Sequence, residues 1–96
     1  MAELRVVIDA LDAQIVGLLA ARAACIDRAA ELKPAERLPA RIDARVEQVV
    51  ANVRREAAGQ GVDPDLVETL WRAVIEWSIA REERVLGKSA PQEDRT

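Results

Sequence analysis

The 96-residue chain has no histidine, phenylalanine or tyrosine, only two tryptophans and one cysteine, and four residues each of glycine and proline. Without histidine and with Cys25 alone, it cannot assemble a zinc site of the usual His/Cys kind, a Ser-His-Asp or Cys-His apparatus, or an intramolecular disulfide. The side chain that ordinarily titrates near neutrality is missing, so any acid–base work falls to a carboxyl group or a lysine. No apolar run approaches the ~20 residues of a bilayer span, and the N-terminus lacks a basic region followed by an apolar one. A cytoplasmic location with no membrane partner is the expectation. Fourteen basic and seventeen acidic side chains are spread along the chain for a net charge of −3, which leaves no overall field to attract a polyanion, and nucleic acid is not an expected partner.

What is present is helical in character. There are 18 Ala, 11 Val, 9 Leu and 6 Ile, with 12 Arg against 2 Lys, and a chain of this length holds one domain at most. Glycine and proline fall where punctuation is expected. Pro34 and Pro39 mark a first break. Gly59 and Gly61 mark a second, with Asp63 placed to cap a helix and Pro64 in its first position. Gly87 closes a third segment, so residues 1–87 read as one helical domain and 88–96 as a disordered tail. The predicted class is all-α, with helices over about Ala2 to Lys33, Ala40 to Ala58, and Pro64 to Leu86.

The first helix carries a regular stripe of Leu4, Ile8, Leu11, Ile15, Leu18, Arg22, Cys25, Ala29 and Leu32, spaced alternately four and three as in a helix packed along its whole length. On that stripe Cys25 reads as a small buried hydrophobe. Thirty-one helical residues extend about 46 Å, whereas a compact chain of this size is only about 32 Å across. A second copy of the chain is the simplest cover for the overhanging end, which predicts an intertwined helical homodimer.

Polar residues interrupt this pattern. Arg22 sits on the apolar stripe, where a charge must be paired or face a ligand. Lys33, eleven residues on, returns to the same face three turns later, with Ile26 and Ala29 between them. Ser78 and Glu82 lie one turn apart on the face of the third helix that also carries Trp71 and Ile75. Arg45 stands beside Val46 on the second helix. Arg5 is about 260° around the first helix from Arg22, so it reaches this cluster only from a partner chain. A non-catalytic helical interaction module, with Arg22 and Lys33 neutralised by Glu76 or Glu82 in a closed core, is the competing reading. Arg54, Arg55, Arg72, Arg81 and Arg84 read as solvated faces with Glu neighbours.

These residues resemble the small all-helical chorismate mutases and their relatives the isochorismate-pyruvate lyases. Leu4-Arg5, Ile8-Asp9, Leu11-Asp12, Ile15, Leu18-Leu19 and Arg22 look like that family's first helix, and Leu70-Trp71-Arg72, Ile75-Glu76 and Ser78 like its third. Its active-site cations fall on Arg5, Arg22 and Lys33, and Arg45, Ser78 and Glu82 follow in register without a gap. The resemblance implies a domain-exchanged dimer in which each site takes Arg5 from the other protomer. It implies the Claisen rearrangement of chorismate to prephenate, which needs no cofactor, metal or nucleophile. It also implies roles: Arg22 and the partner's Arg5 for the two carboxylates, Lys33 and Glu82 at the ether oxygen, Ser78 on a carboxylate, and Arg45 near the ring. Ile26, Ala29, Val46 and Ile75 would form the apolar walls.

The chain departs from the family's pattern at two places. Glu82 stands where many members have glutamine and can donate to an ether oxygen only when protonated, so activity is expected to fall as pH rises. Val46 and Ile42 replace acidic residues near the ring hydroxyl, which leaves isochorismate-pyruvate lyase and aminodeoxychorismate mutase as alternatives on the same scaffold. The chain is expected to stand alone, without a fused dehydratase or dehydrogenase, and a separate activating partner protein is left open.

Overall fold

A computed structural model describes residues 1–86, which form three helices, α1 (Ala2–Leu32), α2 (Asp43–Gly59) and α3 (Pro64–Leu86), and no strand. The proposed tail, 88–96, and the closing Gly87 lie outside the described residues. No helix among the described residues is long and apolar enough to cross a membrane.

The helix ends follow local chemistry. At the end of α2, Gly61 adopts φ 75, its N–H reaching the Ala58 carbonyl while Val62 N–H reaches that of Ala57. This is the paired closure that favours glycine just past a helix. For α3, the Asp63 carboxylate accepts the Asp65 N–H at 2.9 Å, with Pro64 at the first helical position, where its missing N–H costs nothing. α2 starts at Asp43, three residues later than its composition suggests, because Ile42 is still extended at φ −127, ψ 102. The stretch behind Pro39 is used as a strap and not as helix.

The core lies between α2 and α3. Val50, Ile75 and Ile79 are buried there, with Ala40, Val46, Val49 and Trp71 packed against them. The C-terminal third of α1 joins this pair through Ala30, which is buried, and through Ile26 and Ala29. Ion pairs tie the hairpin at its surface: Arg54 bonds Asp65 and Glu68, and Arg72 bonds Glu47 and Glu68. Arg81 clasps Asp27 at 2.8 and 3.1 Å, joining α3 to α1. Arg54, Arg72 and Arg81 are thus ties between elements rather than merely solvated side chains.

Residues 1–21 touch little of this. Every one of them is exposed, including Leu4, Ile8, Leu11, Ile15 and Leu18, the last at 71%. The protomer is accordingly a rod of 62 × 23 × 17 Å with a radius of gyration of 16.7 Å, against about 12.5 Å for a compact chain of this length. Cys25 is exposed as well, which corrects its assignment to a buried seam. A strict seven-residue repeat drifts about 20° per heptad around a straight helix, so by Cys25 and Leu32 the stripe has turned away from the face, at Arg22, Ile26, Ala30 and Lys33, that meets α3.

The two-pronged bond from Arg81 holds the Asp27 carboxyl below the usual carboxylate range. A depressed folded value stabilises the fold above the unfolded value, near 3.9, and that contribution disappears as pH falls through the lower folded value. Urea midpoints of wild type and Asp27→Asn should therefore differ most above about pH 4.5 and converge on acidification. A gap that stays constant down to about pH 2.5 would remove this pair from the stability of the protomer.

Candidate active site

Six of the seven site residues singled out in the sequence line one cavity of about 240 Å³ where α1, α2 and α3 converge. α1 contributes Arg22, Ile26 and Ala29, with Lys33 at its C-cap; the strap and α2 contribute Ala40, Ile42, Arg45, Val46 and Val49; α3 contributes Ile75, Ser78, Ile79 and Glu82. The eleven-residue interval from Arg22 to Lys33 and the four-residue interval from Ser78 to Glu82 are whole turns, so each pair projects from one side of its helix. Apolar side chains make the floor between them.

The polar groups are wired to one another. Arg22 Nη1 donates to Ser78 Oγ at 2.9 Å, and that hydroxyl donates in turn to the Val74 carbonyl at 2.8 Å. Ser78 is only 4% exposed. Its proton is already directed at its own helix, so toward Arg22 it acts as an acceptor. Lys33 Nζ donates to Glu82 Oε1 at 2.6 Å and to the Ala40 carbonyl at 2.8 Å. Glu82 is also 4% exposed, and a carboxylate so deep in the fold requires a cationic partner. An ammonium has three N–H donors, so with these two acceptors among the described residues one remains for a ligand. Arg45 is exposed at the rim and held by Gln48 Oε1 at 2.6 Å.

Three cations against one carboxylate leave the cavity with a surplus of two positive charges, in a setting where burial strengthens each interaction. Such a site suits a compact dianion with an apolar middle. Among the described residues Arg22 pairs with no carboxylate, and a cavity separates it from Lys33; of the closed core expected of an inert interaction module, only the Lys33–Glu82 pair is present.

Arg5 is the exception. It is exposed on the free half of α1, about 25 Å along the helix axis from Arg22, and takes no part in the cavity of its own chain. Sequence reasoning missed Val49 and Ile79, which lie one turn from Val46 and Ile75 and could have been found by that spacing. It also missed the Ala40 carbonyl, which no side-chain pattern announces. Beside Arg22 a second, apolar groove of about 450 Å³ runs between α1 and α3, lined by Val16, Leu19, Ala20, Ala23, Ala73 and Trp77 among others.

Residues 4–83 match a family model described as chorismate mutase type II. The chain is 35% identical over 79 residues to the T-protein of Enterobacter agglomerans, an alignment that takes in 82% of this chain and 21% of that protein. It thus spans about a fifth of the length of this curated relative. No solved structure matches it significantly.

Proposed function

This chain belongs to the type II chorismate mutase family, and from that membership we propose that it converts chorismate to prephenate in the cytoplasm, without cofactor, as a domain-exchanged homodimer. The observation that carries the reading is the cavity itself, in which Arg22, Lys33, Arg45, Ser78 and Glu82 surround an apolar floor. The rearrangement breaks a C–O bond and forms a C–C bond in one pericyclic step, so no nucleophile or proton relay is required. Catalysis consists of holding the dicarboxylate in its compact diaxial conformer and aiming donors at the ether oxygen as it gains negative charge.

Arg22 would grip one carboxylate with its planar fork while Ser78 fixes the position of that fork. Ser78 itself contacts the carboxylate only by turning its proton away from Val74. Lys33, with its uncommitted N–H, would meet the ether oxygen, and Glu82 would do so from the other side when protonated. Arg45 lies at the ring end, and Ile26, Ala29, Val46 and Ile75 exclude water.

The second carboxylate needs a further cation, and Arg5 of a partner chain would supply it. Supporting the exchange are the overhang of α1, its exposed stripe from Leu4 to Leu18, and the apolar groove beside Arg22. In proteins most helix stability comes from packing an apolar face, and the free half of α1 has such a face with nothing from the described residues of its own chain against it. A second reading, isochorismate-pyruvate lyase, is favoured by one observation: Val46 and Ile42 line the cavity, and neither side chain accepts a hydrogen bond from a ring hydroxyl.

Incubation with chorismate should yield prephenate; formation of salicylate and pyruvate from isochorismate instead would transfer the assignment to the lyase. Arg22→Ala should lower kcat/KM by about 10²-fold or more, since it removes a charged donor from a preorganised site. Glu82→Gln, whose amide can donate to the ether oxygen without an added proton, should keep kcat within about ten-fold of wild type, whereas Glu82→Ala should lose about 10²-fold; equal losses in the two variants would rule out the donor role. Unfolding and refolding an equal mixture of Arg5→Ala and Arg22→Ala chains should restore about a quarter of wild-type activity, because half the dimers are hybrids with one intact site of two. No recovery beyond the mean of the two parents would exclude the exchange.

A further inference from the structure

Lys33 is aimed by residues outside the proposed machinery. It stands at the C-cap of α1, where the chain must turn back toward α2. Arg37 N–H reaches the Pro34 carbonyl at 3.1 Å and Leu38 N–H reaches the Lys33 carbonyl at 2.9 Å, with Arg37 at φ 58. That left-handed conformation is unfavourable for a residue with a Cβ and persists only where its surroundings hold it. The strap then lines one side of the cavity with Ala40 and Ile42. The carbonyl of half-buried Ala40 accepts the Lys33 ammonium, Ala40 packs on the core of Val50, Ile75 and Ile79, and Ile42 joins the cavity lining.

The residue between those two, Arg41, donates to the carboxylate of Glu76 on α3. Among the described residues this is the one side-chain hydrogen bond that ties residues 34–42 to α3. Both partners are exposed, and exposed pairs contribute little to overall stability. Their effect is geometric: the bond fixes the peptide next to the carbonyl that Lys33 uses.

We propose that Arg41 and Glu76 are positioning residues for Lys33, latching the strap to α3 so that the Ala40 carbonyl and Glu82 together hold the ammonium at the cavity. The consequence for rate rests on the chorismate mutase reading; the consequence for geometry does not.

The chain has two lysines, Lys33 and Lys88, so limited acetylation with acetic anhydride followed by peptide mass spectrometry reports Lys33 with Lys88 as internal reference. In Arg41→Ala and in Glu76→Gln the labelling ratio of Lys33 to Lys88 should rise about five-fold, while Arg41→Lys and the charge-exchanged Arg41→Glu/Glu76→Arg double variant stay within about two-fold of wild type. Arg55→Ala, on the far part of α2, should leave the ratio unchanged. On chorismate, Arg41→Ala should lose about ten-fold in kcat with KM altered less than about three-fold. An unchanged ratio in both Arg41→Ala and Glu76→Gln would overturn the proposal whatever the kinetics. A ratio that shifts in the two variants, with a wild type that turns over neither chorismate nor isochorismate, would sustain the latch and overturn the functional reading. Should Arg41→Ala fail to fold by circular dichroism, the isosteric Glu76→Gln decides the matter.

Discussion

The constraint from which most of this structure follows is one of length: α1 is longer than the described residues after it, 33–86, can cover. α2 and α3 form a hairpin whose core faces only the last third of α1, leaving the stripe from Leu4 to Leu18 in water. The same geometry decides what the protomer can hold by itself. It encloses a cavity with Arg22 and Lys33 at the two ends of an apolar floor, but it strands Arg5 far from both.

Within the cavity the groups are held by one another more than by the core. The buried Glu82 carboxylate and the Lys33 ammonium satisfy each other, and each would be costly alone. Arg22 is steadied by a hydroxyl whose own proton is directed to α3. For a rearrangement whose charge develops mainly at one oxygen, fixed donors suffice, because a preorganised dipole does not have to reorganise during the reaction. An enzyme of this kind can dispense with histidine.

Much of the site was legible in the sequence because it is carried by helix periodicity. Arg22 and Lys33 were visible as charges on an apolar face, Ser78 and Glu82 as a polar pair one turn apart, and Pro64 and Gly61 as helix boundaries. Where prediction failed, the cause was something a one-dimensional pattern does not contain. Cys25 was assigned to a seam that a heptad repeat sustains only if the helix supercoils. The start of α2 was placed early because Ala40 and Arg41 are good helix formers, yet here they serve as strap. The Ala40 carbonyl and the clasp between Asp27 and Arg81 are tertiary facts with no local signature.

A single uninterrupted helix is also a ruler. Loops absorb an inserted or deleted residue; a helix converts it into a rotation of 100° and a translation of 1.5 Å for everything upstream. Because α1 runs without a break from Ala2 to Leu32, its exposed apolar stripe and its cavity-lining end are held in one fixed phase. The segment that burial alone marks as most dispensable is therefore free in much of its composition and rigid in its length. On the proposed exchange, the residue count between Arg5 and Arg22 has no latitude at all.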